Sequence, residues 1–224
     1  MMKLKRPLIL INFKTSMQGT GKNAVKLAKI CERVAKKTKA NMCVVVQSAD
    51  IYRVSQTVSI PVFAGHVDPI DFGSHTGHEL PQAVKEAGAV GTLINHSEHH
   101  LDIKQTKKTI AAARKSGLVG VVCARTASEA AKIAKFKPDF IAVEPPELIG
   151  GEISVSTARP QLISDTVKKV HSIAKVPVLT GAGVKDGKDV AKSLELGTEG
   201  VLVASGVVKS KDPEKALMDL ASGL

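Results

Sequence analysis

The chain has 224 residues, with 32 Lys+Arg against 21 Asp+Glu, a formal net charge of +11 and 43% hydrophobic residues. That length suits one barrel-sized domain, and the composition excludes extensive disorder. Its apolar runs, about six residues or fewer, exclude a membrane-spanning helix, which needs ~20. Leu8–Asn12 reads as a buried strand. Gly21–Lys39 reads as an amphipathic helix, with Ala24, Leu27, Ala28, Cys31, Val34 and Ala35 at three- and four-residue spacing. Next come a strand at Met42–Val46, a short helix at Asp50–Thr57 and a strand at Pro61–Ala64. After a long loop, Leu80–Ala87 is predicted helical, Val90–Asn95 a strand, Asp102–Ser116 helical and Leu118–Cys123 a strand. Ala127–Phe136 follows as a helix, Asp139–Val143 as a strand, and Thr157–Ile173 as a helix after another loop. Val176–Thr180, Asp186–Leu196, Glu199–Ala204 and Asp212–Ser222 complete the alternation as strand, helix, strand, helix.

Eight short strands, apolar on both faces and each followed by a helix, belong to a parallel sheet covered by helices. The pattern runs over residues 1–224 without a composition break, so the fold expected is a single (β/α)₈ barrel with a parallel eight-stranded core. The basic N-terminus leads only into Leu8–Ile11, too short for the apolar region of a signal peptide, and a cytoplasmic location is the expectation. Cys31, Cys43 and Cys123 stand far apart, an odd count with no C-x-x-C, which argues against a disulfide framework and a zinc ribbon. With 3% aromatic residues and no Trp, the chain lacks stacking platforms for single-stranded nucleic acid, so no nucleic-acid or membrane partner is expected. The basic residues are scattered along helical stretches. A solvated surface accounts for most of them, and a field that draws in a small anionic substrate is the other reading.

Active sites of this fold lie at the C-terminal ends of the strands. The first strand ends in Asn12 and Lys14; an inward lysine there needs an anion, either a structural carboxylate or a substrate. His66 and Asp68 follow the third strand. Asn95, His96 and Glu98 follow the fourth, and His96 is either a hydrogen-bonded structural histidine or an acid/base group. His96-x-x-His99-His100 and His75-x-x-His78 could in principle bind metal, but no further group has ligand spacing, so no metal is expected. Glu144, followed by Pro145-Pro146, is a strand-end carboxylate suited to proton abstraction. Glu147 to Gly151 has an apolar tip and two glycines, which fits either a closing loop or an ordinary connector. Gly181-Ala182-Gly183 and Ala204-Ser205-Gly206 are small-residue turns before helices, where backbone N–H groups can approach phosphate oxygens.

In their order along nearly the whole chain, these motifs resemble the triosephosphate isomerase family. Asn12-Phe13-Lys14 matches its N-x-K, His96-Ser97-Glu98 its H-S-E, and Ala142-Val143-Glu144-Pro145 through Ile149-Gly150 its catalytic glutamate with closing loop. Asn95 stands where the family usually has Gly, His99-His100 where it has an Arg pair, and Glu147 where it commonly has Trp. Gly181-Ala182-Gly183 replaces a Gly-Gly-Ser turn and Ala204-Ser205-Gly206 a Gly-Gly pair. These departures and the short helices resemble the family's compact archaeal branch.

The resemblance implies interconversion of dihydroxyacetone phosphate and glyceraldehyde 3-phosphate through an enediolate, in glycolysis and gluconeogenesis. It implies Glu144 as base, a neutral His96 polarising the carbonyl, Lys14 stabilising charge on oxygen and Asn12 orienting the substrate. The neutral histidine at a helix N-terminus is carried over from the family, itself the standard illustration of that effect; here the helix would begin near Ser97. Glu98 would organise the surroundings of Lys14. Ile149, Gly150, Gly183, Ala204 and Ser205, together with Lys14 and Asn12, would hold the substrate and its phosphate. No cofactor is implied, because the substrate's own carbonyl is the electron sink. The long loop His66 to His78 resembles the family's loop that enters a neighbouring subunit, with Thr76 at the contact, and implies a homotetramer, with a homodimer as the alternative.

Overall fold

The structure, a computed structural model, describes residues 4–144 and 160–224. Eight parallel strands close into a barrel in sequence order, β1 pairing with both β2 and β8. They are β1 (Leu8–Asn12), β2 (Asn41–Val46), β3 (Val62–Ala64), β4 (Gly91–Ile94), β5 (Val119–Ala124), β6 (Phe140–Val143), β7 (Val178–Thr180) and β8 (Gly200–Val203). The helices described are α1 (Lys22–Thr38), α2 (Ser48–Ser55), α3 (Pro81–Glu86), α4 (Ile103–Lys115), α5 (Ala127–Ala134), α6 (Pro160–His171), α7 (Gly187–Glu195), α8 (Ser205–Val208) and α9 (Pro213–Ala221).

The core has two layers because strand side chains alternate. Leu8, Leu10, Val45, Phe63, Leu93, Val121, Leu179 and Leu202 fill the barrel interior. Ile9, Ile11, Val44, Ile94, Val122, Ile141 and Val201 point outward and pack under the helices. This alternation sets the mouth of the barrel. Continuing the inward parity one step past the core brings Asn12 after Leu10, Glu144 after Ala142, Gly181 after Leu179 and Ala204 after Leu202.

The predicted elements differ from the observed ones mainly at their ends. Strands β3 and β7 start one and two residues late, at Val62 and Val178, because Pro61 and Pro177 have no N–H to donate. Both prolines still accept through their carbonyls, from Val44 N–H and Ile141 N–H at 3.0 Å. Helix α2 starts at Ser48, two residues before the expected Asp50, which puts Asp50 inside its first turn. The Asp50 carboxylate accepts the Gly21 N–H at 2.9 Å and pairs with Arg53 at 3.1 Å. Helix α4 has a full capping box between Asp102 and Gln105, a feature that contributes about 1 kcal/mol. Two short elements add to the expected ones: a 3₁₀ turn at Met17–Gly19, and α8, which opens directly out of the eighth strand's turn. Among the described residues no helix is long and apolar enough to cross a membrane.

Candidate active site

At the C-terminal ends of the strands lies a cavity of about 610 Å³, lined by Asn12, Lys14, His96, Glu144 and the turns after β7 and β8. Asn12 is buried, as the pleat of β1 requires. Lys14, two residues on, faces the same cavity, but its backbone is not extended. Its φ of 52° is left-handed, a conformation that costs a non-glycine residue of order 1 kcal/mol. The Asn12 side chain helps to hold that turn, Oδ1 accepting the Lys14 N–H at 3.0 Å. The Lys14 ammonium in turn donates to Glu98 Oε1 at 2.9 Å. Two residues 84 apart in the chain thus meet only because β1 and β4 close into one barrel.

His96 is buried, and its two nitrogens have different surroundings. The Glu98 backbone N–H donates to Nδ1 at 3.2 Å. A backbone N–H cannot accept, so Nδ1 is the bare nitrogen and the neutral ring carries its proton on Nε2. The Glu98 carboxylate stands 3.7 Å from Nδ1, too far to displace that arrangement. Nε2 faces Glu144 Oε1 at 3.4 Å and Asn12 Nδ2 at 3.5 Å. The second contact is at the limit of a hydrogen bond and, with the proton on Nε2, brings two donors side by side. The helix expected to begin near Ser97 does not: α4 begins at Ile103. The N–H groups after His96 belong to a tight turn in which His99 N–H donates to His96 O at 2.8 Å, and this turn, not a helix N-terminus, presents the Glu98 N–H.

Glu144 is 3% exposed, its N–H donates to Ala124 O at 2.9 Å, and its buried Oε2 has no hydrogen-bond partner among the described residues. A buried carboxylate oxygen is costly unless something meets it, so this one is available to a molecule bound in the cavity. Gly181 leaves the room for it: a Cβ there would lie 2.6 Å from Glu144 Cγ. On the other side Cys123 lies in the barrel interior, where burial pushes its thiol pKa well up and the neighbouring Glu144 carboxylate adds to the shift.

Gly183, with φ 69°, and Ala204 and Ser205 line the same cavity. Lys185, after the seventh strand's turn, and Lys209, the C-cap of α8, line it too; neither has a sequence signal as a site residue. Ile149 and Gly150, with Pro145-Pro146 and Glu147, lie outside the described residues. Thr76 is exposed, in the loop after β3. At the base of that loop His66 is 3.2 Å from Asp68 and its ring stacks on His99 at 4.1 Å. Among the described residues no group of three or more His, Cys, Asp or Glu is arranged to hold a metal ion.

The Glu144 carboxylate, the His96 imidazole and the Lys14 ammonium meet at a cavity walled by two small-residue turns. The fold and the site define an α/β-barrel equipped for proton transfer on a small anion. Known proteins narrow this class. A family model described as triosephosphate isomerase matches residues 7–222. The triosephosphate isomerase of Methanobacterium bryantii is 49% identical over 217 residues, covering 96% of each chain. That of Methanothermus fervidus is 47% identical over 218 residues, covering 97% of this chain and 98% of its own. A crystal structure of triosephosphate isomerase from Bartonella henselae shares the fold with a TM-score of 0.74 at 20% identity, over 97% of both chains. The chain belongs to the triosephosphate isomerase family.

Proposed function

We propose that this barrel interconverts dihydroxyacetone phosphate and glyceraldehyde 3-phosphate, the reaction its family's name describes, with the following residues in the following roles. Glu144 removes a proton from the carbon beside the carbonyl and returns it to the neighbouring carbon. The observation that carries the reading is its buried Oε2 at the wall of the cavity, which has no partner among the described residues. His96 donates from Nε2 to the substrate oxygen. A substrate oxygen placed between His96 Nε2 and Asn12 Nδ2 would accept from both and resolve the donor–donor contact. Lys14 supplies the positive charge that stabilises the enediolate oxygen. Glu98 holds the Lys14 ammonium in place at 2.9 Å. Gly183, Ala204 and Ser205 offer backbone N–H groups to the phosphate, and closing residues Ile149 and Gly150 complete the reading taken from the sequence. The chemistry calls for no cofactor, because the carbonyl takes up the electron pair of the broken C–H bond.

Glu144→Gln tests the base assignment: turnover should fall by about 10²–10⁴-fold while phosphorylated competitive inhibitors still bind. Turnover near that of the natural enzyme would remove Glu144 from the role.

The active form is a homotetramer in this reading, with a homodimer as the alternative. The support is the exposed loop after β3, with Thr76 and the 77%-exposed Phe72, in the position of the family's intersubunit loop. A neighbouring copy would brace the Asn12–Lys14 turn. Sedimentation at low concentration with activity measured in parallel tests this, and a fully active monomer would overturn both the assembly and the role of Thr76.

A further inference from the structure

Along β4, Leu93 belongs to the barrel interior and Ile94 to the outer layer. If the pleat continued, residue 95 would point into the mouth of the barrel and residue 96 away from it. The observed arrangement is the reverse, because Asn95 has a φ of 59° and breaks the alternation. Asparagine tolerates this left-handed conformation better than most residues, and glycine tolerates it freely. The backbone turn alone therefore does not call for asparagine.

The side chain does. Asn95 is 2% exposed. Its Oδ1 accepts the Leu101 N–H at 2.9 Å, which closes the 95–101 loop. Its Nδ2 donates to Cys123 O at 2.9 Å and to Glu129 Oε1 at 3.2 Å. The Leu101 N–H can only donate and the Cys123 carbonyl can only accept, so the orientation of the amide is unambiguous. Glu129 is itself held, its Oε2 accepting the Arg125 N–H at 2.9 Å. The carbonyl held by Asn95 belongs to Cys123, whose thiol neighbours the Glu144 carboxylate, and the next residue, Ala124, accepts the Glu144 N–H. One buried amide thus joins the turn that carries His96 to the strand against which Glu144 rests.

We propose that Asn95 is a positioning residue for the acid/base pair: its backbone swings His96 into the cavity, and its amide ties that turn to β5 so that His96 Nε2 and Glu144 Oε1 are held at their separation. The inference rests on the roles given above to His96 and Glu144.

Asn95→Gly keeps the left-handed backbone and removes the tie. In the purified full-length chain the native circular-dichroism spectrum should be retained. The kcat for glyceraldehyde 3-phosphate should fall by about 10-fold or more, as sub-ångström misplacement of reacting groups does. KM, and inhibition by glycerol 3-phosphate, which reads phosphate binding without the carbonyl, should change by no more than about twofold. The ¹⁵N resonances of the His96 ring should move from a single Nε2–H tautomer towards an average of the two. An unchanged kcat, an unchanged His96 tautomer, or a loss of kcat matched by an equal rise in KM would each overturn the proposal. So would loss of the native spectrum, which would make Asn95 a residue of the fold alone. His96→Gln, measured alongside, separates this inference from its premise. An inactive His96→Gln with a fully active Asn95→Gly overturns only the role of Asn95. A fully active His96→Gln overturns the role of His96 and takes this inference with it.

Discussion

Replacing Gly181 with alanine tests the geometry around Glu144 without touching any group that carries a proton. The new methyl would lie 2.6 Å from Glu144 Cγ and 3.0 Å from the Val143 carbonyl oxygen, where ordinary contact begins at 3.4 Å. The backbone has little freedom to yield, because that same carbonyl accepts the Gly181 N–H at 2.8 Å and Val143 pairs in register with Thr180. The Glu144 side chain must therefore retreat, by about 0.8 Å (the difference between 3.4 and 2.6 Å). Misplacing a reacting group by about 1 Å costs up to about 10²-fold in rate. Overpacking of this kind costs about 1–3 kcal/mol of stability, which a domain stable by about 5–15 kcal/mol survives. The expected result is a folded enzyme whose kcat is about 10- to 100-fold lower, with KM little changed. Coupled steady-state assays on glyceraldehyde 3-phosphate read the rate, and thermal melts confirm the fold. A Gly181→Ala enzyme with kcat within about twofold of the natural one would show that the Glu144 carboxylate is not held where its chemistry requires.

Two further outcomes follow from particular contacts. Lys14→Ala should weaken phosphorylated inhibitors, and the loss should shrink as salt rises, because the Lys14–Glu98 pair is partly exposed and its field is screened; an unchanged affinity at low salt would confine Lys14 to pairing with Glu98. The His66 imidazole is held below the ordinary histidine value, chiefly by burial and further by the charge of His99, against the opposing pull of Asp68. The unfolded chain therefore takes up a proton near pH ~6.5 that the folded chain resists, so this contribution to stability is complete above that pH and is lost as pH falls towards the folded value. Asp68, whose carboxyl is also held low, titrates in a separate window below the usual carboxylate range. Melting temperature should accordingly drop as pH falls below about 6.5, and His66→Gln should flatten that slope; equal slopes in the two proteins would exclude His66 as its source.

The order and kind of the main elements could be read from residues alone, because each is set locally. Runs such as Leu8–Ile11 and Val119–Cys123 are apolar on both faces, and α1 repeats its apolar residues at helical spacing. The same alternation that fills the barrel with Leu8, Leu10 and Leu179 places Asn12 and Glu144 at its mouth, which made those two candidates visible. Where an element starts depended on details of the same local kind, the missing N–H of Pro61 and Pro177 among them. Lys14 and His96 were visible as strand-end residues too, but the backbone that aims them has no local signature. His96 reaches the cavity through a left-handed turn at Asn95 that reverses the parity of β4, and Lys14, on the inward parity of β1, has a left-handed backbone of its own. The bare Nδ1 of His96 comes from a turn and not from the expected helix. Gly181 has to be glycine because Glu144, 37 positions earlier (181 − 144), packs against it. These are consequences of closing eight strands into a ring: a residue's spacing along the chain sets which way it faces, but the distance between groups on different strands exists only once the hydrogen-bonded register around the barrel is complete.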